Sequence, residues 1–371
     1  MALSPLDDYP VHQIAETMRH VGTSDRNFYD RYYFNLHGCS DELFLVMGLG
    51  QYPNLGVQDA FAVATRNGIH RVVRASRELG DDRMDTSVGP IRIEVLEGLK
   101  RLRVIIEPND HEIELDVSWE GAIPAYQEPR HFVRSFERVT FDTMRLAQTG
   151  FWSGTLRLGD ETFEITPDRW WGTRDRSWGV RPVGEPEPPG IRASAQRAAG
   201  GLWSYAPMQF PDFSILYICQ ETGTGERILE DAVRVFAEGS GKEPELLGSL
   251  EFDFEFISGT RTVKQAVLHL KEPGGRPLDV HVQPILPLYV GVGTGYGQDA
   301  DWRHGMYQGP LVVQGLKLDA SKPEDKARLF GLLDNVARFE LDGQVGYGLF
   351  EYALFGAYER FGFKSPNDVA P

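Results

Sequence analysis

The sequence predicts an all-β protein of two consecutive antiparallel units, and three observations carry that expectation. Apolar and polar residues alternate with period two, turn-forming pairs punctuate the chain at short intervals, and the second half repeats landmarks of the first. Many short strands with few helical stretches between them favour closed or sandwiched antiparallel sheets over a doubly wound parallel sheet.

Taken in chain order, Val11 to His20 is the first candidate helix. Ile91-Arg92-Ile93-Glu94-Val95 and Glu112-Ile113-Glu114-Leu115-Asp116-Val117 alternate, so their apolar side chains share one face of a strand, and Arg103 to Glu107 is a less regular candidate. Asn67-Gly68, Glu97-Gly98, Asn109-Asp110 and Gly159-Asp160 supply residues that tolerate turn geometry. Alternation returns in Leu250 to Phe256 and in Ala266 to Leu270, with turns at Pro273-Gly274-Gly275 and Asp342-Gly343. Pro323 to Phe330 starts a second helix, with Ser321 and Glu324 spaced as a capping box around the proline.

The halves correspond. Tyr52-Pro53-Asn54 recurs as Phe210-Pro211-Asp212 at an offset of 211 − 53 = 158, and Val88 to Glu94 recurs as Leu247 to Asp253 at 247 − 88 = 159. Two acidic, aromatic, glycine-punctuated segments close the halves, Trp170 to Gly179 and Gly346 to Gly356, and their acids Asp175 and Glu351 stand 351 − 175 = 176 apart. Steady early spacing with late drift predicts a duplicated domain with one enlarged loop. A chain of 371 residues is long enough for two cores. Arg181 to Gly190 is too rich in proline for a central strand or helix interior. The expected layout is a first barrel or sandwich over residues 1–181, a linker over 182–197 and a second unit over 198–371, with Ser365 to Pro371 as a loose tail.

A formal net charge of −16 without a basic run argues against nucleic acid, which demands clustered Lys and Arg. No run of 18 apolar residues offers a membrane span. Met1 to Pro10 lacks a basic segment followed by an apolar one, which reads as a cytoplasmic protein. Cys39 and Cys219 form neither a disulfide framework nor a zinc ligand set and read as small buried hydrophobes. Gly291 to Gly297 misses dinucleotide-loop spacing, no phosphate loop or Gly-x-Ser-x-Gly elbow occurs, and no two of the nine histidines stand three or four apart. The expectation is chemistry without cofactor or metal on a hydrophobic small molecule.

Asp175, set between Arg174 and Arg176 with Arg181 further on, is the leading acid. On the interior face of a barrel it would hold a substrate hydroxyl or move a proton, or else form a buried ion pair that fixes a strand end. Glu351 shares a strand face with Tyr347 and Leu349, where desolvation would raise its pKa. His304 and Tyr307, with Arg303, combine an imidazole, a phenol and a guanidinium between glycines. Trp171, Trp178, Tyr33, Tyr52, Asn54 and Tyr352 complete the candidates as substrate-contacting or core residues.

Gly172-Thr173-Arg174-Asp175-Arg176-Ser177-Trp178-Gly179, with two antiparallel halves, resembles the tandem-lipocalin group that includes carotenoid 1,2-hydratase and kievitone hydratase. In those relatives an acid followed closely by Ser-Trp-Gly lies near the end of the first domain. The hydratases usually carry a histidine before the serine, where this chain has Arg176. The resemblance implies two lipocalin-like antiparallel β-barrels, an apolar, polyunsaturated or aromatic ligand, and hydration, elimination or isomerisation without a redox cofactor. On that reading Asp175 or Glu351 transfers the proton, and Arg174 or Arg181, with Tyr307 and His304, steadies charge on an oxygen. A phenolic substrate would react through a quinone-methide-like intermediate. The alternative is a carrier of a hydrophobic small molecule that does no chemistry.

Overall fold

A computed structural model describes residues 13–183, 190, 200–297 and 299–371. Most of the expected linker, 182–197, lies outside these residues, as does the start of the first candidate helix. The part of that helix that is described, 13–20, forms bends and turns instead.

The first half supplies β1 (Phe28–His37), β2 (Phe44–Tyr52), β3 (Val57–Arg66), β4 (Ile69–Glu78) and β5 (Ser87–Val88). There follow β6 (Ile91–Glu97), β7 (Arg101–Ile106), β8 (Ile113–Gly121), β9 (Tyr126–Gln127), β10 (His131–Ser135), β11 (Arg138–Leu158), β12 (Glu161–Ile165) and β13 (Trp171–Val180). The second half supplies β14 (Gly201–Gln209), β15 (Phe213–Thr222), β16 (Arg227–Phe236), β17 (Glu245–Leu246) and β18 (Gly248–Phe256). It ends with β19 (Val263–Lys271), β20 (Pro277–Tyr289), β21 (Leu311–Asp319), β22 (Leu333–Leu341) and β23 (Gln344–Phe355). Asn67 and Gly68 both take positive φ (51° and 73°) in the β3–β4 turn, as do Asp342 and Gly343 (50° and 77°) between β22 and β23, as a two-residue hairpin turn of this twist requires. The capping box does not form. Ser321 bonds Asp319, and the helix at Pro323–Lys326 is a single turn without a side-chain cap.

Two antiparallel sheets result, both nearly closed into barrels. The first runs β21-β4-β3-β2-β1-β13-β11-β8-β7-β6-β5, and the second runs β17-β16-β15-β14-β23-β22-β20-β19-β18. Side chains stitch the first across its opening, where Gln58 Nε2 donates to the Asp85 and Ser87 carbonyls at 3.0 and 3.1 Å. In the second, the backbone bond from Leu247 N to Ala232 O at 2.8 Å and the side-chain pair of Arg227 and Glu251 at 3.4 Å do so. The repeated Pro53 and Pro211 fall in the β2–β3 and β14–β15 connections, and the repeated Val88 and Leu247 lie in the corresponding approaches to β6 and β18. The sheet neighbours correspond: β1 stands between β2 and β13, the last strand of its half, and β14 stands between β15 and β23, the last strand of the other.

Inward-facing side chains fill each barrel. Phe34, Leu45, Trp119 and Trp152 belong to the first core, and Trp152 satisfies its buried indole by donating to Asn35 O at 2.8 Å. Tyr217, Leu268, Phe339 and Phe350 belong to the second. A third apolar cluster joins the outer faces of both sheets, including Tyr33, Phe61 and Ala147 from one and Tyr205, Val336 and Leu349 from the other. After β20 the chain leaves its own sheet and crosses to the first, where β21 pairs β4 through nine residues. This excursion falls in the interval where the repeat spacing drifts.

Candidate active site

Both faces of β13 are covered, and alternation sends neighbouring residues into different surroundings. Arg174 stands opposite Phe34 and Gln148, so it faces the first barrel's interior. Asp175 stands opposite Tyr33 and Ala147 and therefore faces the seam between the barrels, not a barrel interior as the sequence suggested. The small Ala147 leaves the carboxyl flanked rather than covered. Asp175 retains accessible surface and, among the described residues, makes no hydrogen bond or ion pair. Burial raises its pKa, while Arg145, Arg181 and Arg31 pull it down.

Across the seam Asp334 and Glu351 are direct partners on β22 and β23. Tyr33 OH donates to Asp334 Oδ2 at 2.5 Å, and the Trp203 indole N–H donates to Glu351 Oε1. Asp334 is fully buried, and no N–H or O–H among the described residues donates to its Oδ1. Burial pushes Asp334 well above the usual carboxylate range, and the neighbouring Glu351 adds to the rise. Burial likewise raises Glu351, with the Trp203 donor opposing it. Two carboxyls so placed resist double ionisation, so the pair holds one proton to higher pH than either acid alone would.

Cations and phenols surround these acids. Arg145 bonds the buried Glu128 at 2.5 Å and lies over the rings of Tyr205 at 4.4 Å and Trp203 at 5.4 Å. Burial works against the Arg145 charge, but Glu128, Tyr205 and Asp175 outweigh it and raise the pKa. Arg181 lies over Tyr29 at 4.5 Å. Tyr205 OH and the Nε atoms of Arg31 and Arg181 are buried without a hydrogen-bond partner among the described residues. Unpaired donors concentrated beside an accessible carboxylate are the mark of a site built to meet polar atoms of something else.

The crossing segment adds a neighbouring cluster. His304 Nδ1 meets Arg31 Nη1 at 2.9 Å and its Nε2 meets Thr294 O at 2.9 Å. Arg31 can only donate and a carbonyl can only accept, so the ring is the neutral tautomer protonated on Nε2. Burial, reinforced by Arg31 and Arg181, holds its pKa well below the ordinary value. With both nitrogens engaged, His304 anchors the crossing segment and has no free nitrogen for proton transfer. Asp59 accepts from Gly305 N at 2.7 Å and from Tyr52 OH at 3.2 Å.

Of the candidates read from the sequence, Asp175, Glu351, Tyr33 and Arg181 meet in the seam, and Trp171 reaches it through an edge contact with Tyr347. The others are elsewhere. Tyr307 is exposed and donates to Glu78, Arg174 and Trp178 face the first barrel's interior, and Tyr352 OH accepts from Val263 N inside the second. Asn54 ties down the Thr23 and Asp25 carbonyls. Asp334, Glu128, Arg145, Arg31, Trp203 and Tyr205 were not singled out by sequence. The one available signal was Asp334-Asn335 inside an otherwise apolar strand start, Leu333-Asp334-Asn335-Val336-Ala337.

Among the described residues no helix is long and apolar enough to cross a membrane. The profile of a family described as a family of unknown function (DUF8625) matches residues 3–364. No curated protein matches the sequence. Among solved structures, an AttH-like protein from Nitrosomonas europaea is 13% identical with a TM-score of 0.53, covering 95% of this chain and 97% of its own. CghA with Sch210972 is 9% identical, TM-score 0.50, covering 89% of each chain. Kievitone hydratase from Nectria haematococca is 14% identical, TM-score 0.49, covering 87% of this chain and 88% of its own. The likeness to the first two is one of fold, extending over both barrels.

Proposed function

The chain belongs to that family of unknown function, and we propose that it is a cofactor-independent lyase or isomerase that works in the seam between its barrels on an aromatic or terpenoid small molecule. The observation that carries the reading is the convergence of Asp175 from β13 with the Asp334–Glu351 pair from β22 and β23, at Tyr33. One carboxyl is accessible and, among the described residues, free of hydrogen bonds, and burial of the other two favours a proton held between them. That is the division of labour acid–base catalysis requires.

In an elimination, Asp175 takes a proton from carbon and the released electron pair forms the double bond. The carbon–oxygen bond breaks, and the leaving oxygen takes the proton held by Asp334 and Glu351. Water is the product, and hydration is the reverse. Returning the first proton to a different carbon is an isomerisation. Both balance without an oxidant or reductant. Arg181 and Arg145 face the charge that develops on a substrate oxygen, in a low-dielectric seam where such attraction is strongest. Tyr205, Trp203 and Tyr296 offer aromatic surface for an apolar substrate.

The test is turnover of phenolic and isoprenoid alcohols by the full chain, followed by mass spectrometry for loss or gain of water. Asp175→Asn and Glu351→Gln are expected to lose at least about a hundredfold in rate while still binding substrate. Undiminished turnover in both variants would reject the assignment of the acids. Binding without turnover by the unaltered protein would favour a carrier.

A further inference from the structure

We propose that the mouth of the first barrel is a second binding site, for a small apolar molecule that ends in a carboxylate. It lies on the opposite face of β13 from the seam and does not depend on the chemistry proposed there.

The mouth is built by the side chains next to the seam residues in sequence. Arg174, Arg176 and Trp178 stand opposite Phe34, Tyr32 and Asp30 on β1, and opposite Gln148, Leu146 and Met144 on β11. All share the face that continues into the barrel core. Arg176 is compensated, because its Nη1 bonds Asp30 at 2.6 Å and its guanidinium lies 4.7 Å from the Tyr32 ring centre. Arg174 is not. Its Nε donates to Gln148 Oε1 at 2.8 Å, but its Nη2 is buried without an acceptor and no carboxylate pairs with it among the described residues. The residue is only 2% exposed. Burying a guanidinium without a counter-charge is costly, and a fold that retains one gains when an anion arrives. Burial lowers the Arg174 pKa to about 10, which still leaves it charged at neutral pH.

The rim supplies the apolar half of the complement. Val95 stands opposite the buried Leu102, so it extends the core face of β6 to the opening, yet it is 51% exposed. Leu99, at the tip of the β6–β7 hairpin, is 55% exposed, and its carbonyl accepts from Gln148, the residue that holds Arg174. Met84 is 58% exposed and follows Arg83, which bonds Asp30. Met144 and Leu146 lie between rim and guanidinium, partly accessible. A carboxylate on Arg174 would leave its hydrocarbon chain against these side chains.

The full chain titrated with dodecanoate and with dodecanol, followed by calorimetry, tests this. Dodecanoate is expected to bind at least about tenfold tighter than dodecanol, the advantage of a charge-assisted bond over a neutral one. Arg174→Gln should abolish that preference and leave dodecanol binding unchanged. Leu99→Glu, at an exposed position that does not threaten folding, should weaken dodecanoate by a similar factor through like-charge repulsion. Asp175→Asn, on the other face of the strand, should leave dodecanoate binding within about twofold. Equal affinity for acid and alcohol in the unaltered protein would overturn the proposal. So would unchanged dodecanoate binding by Leu99→Glu, or its loss in Asp175→Asn, which would place the ligand in the seam.

Discussion

Asp59 offers a direct measure of how firmly the crossing segment is tied to the first barrel. Its carboxylate is 4% exposed and is held by Gly305 N–H and Tyr52 OH, yet burial raises its pKa from 3.8 to about 6 in spite of Arg31 and both donors. A carboxyl that holds its proton more tightly folded than unfolded stabilises the fold below the unfolded value. That contribution is lost as pH rises through the folded value. A rise from 3.8 to about 6 corresponds to about 3 kcal/mol, most of it spent between roughly pH 4 and pH 7. Asp59→Asn cannot titrate. Its amide is neutral at every pH and still offers an oxygen to Gly305 N–H, so any change in that hydrogen bond does not itself titrate. Urea unfolding of both proteins at several pH values separates the two effects. The variant's stability relative to the unaltered chain should climb by about 2–3 kcal/mol between pH 4 and pH 7, because contributions of other groups, His304 included, subtract out. Parallel stability curves over that range would refute the reasoning.

Other perturbations test the seam and the strand packing around it. Arg145→Met should cost about 3–5 kcal/mol by leaving Glu128 buried and unpaired, and adding Glu128→Gln should recover most of it, a coupling read by chemical denaturation. Tyr33→Phe removes the donor to Asp334 Oδ2, so Asp334 should hold its proton to still higher pH, and the basic limb of any pH–rate profile should move upward. Gly172→Ala would drive a Cβ into the Asn35 carbonyl oxygen and against the Trp152 indole, with an expected loss of about 1–3 kcal/mol or more and a lowered Tm.

Much of the fold was legible because its determinants are local. Asn67-Gly68 and Asp342-Gly343 form the turns their residue types demand, and the alternation in Ile91 to Val95 sends Ile91 and Ile93 into the core. The repeat anticipated equivalent turns at Pro53 and Pro211. The first helix was misread because residues 13–20 show a helix-compatible pattern but have no tertiary face to bury it against, and a short helix rarely persists without one.

The site was legible only in part. Alternation separates Asp175 from Arg174 and Arg176, but it does not say which face meets a core and which meets a partner sheet. In a strand covered on both sides either assignment fits the pattern. Asp334 escaped notice for the same reason, standing in a strand whose neighbours are buried on both faces.

What the sequence determined by itself was therefore the all-β fold class, with its strands and many of their turns, since these depend on residues a few positions apart. That Tyr33 donates to Asp334 across 301 positions, and that a segment of the second half completes the first sheet, was decided by how the two barrels pack against each other. Burial and pKa are properties of that packing, and no linear pattern encodes the dielectric a carboxyl will meet once distant surfaces close over it.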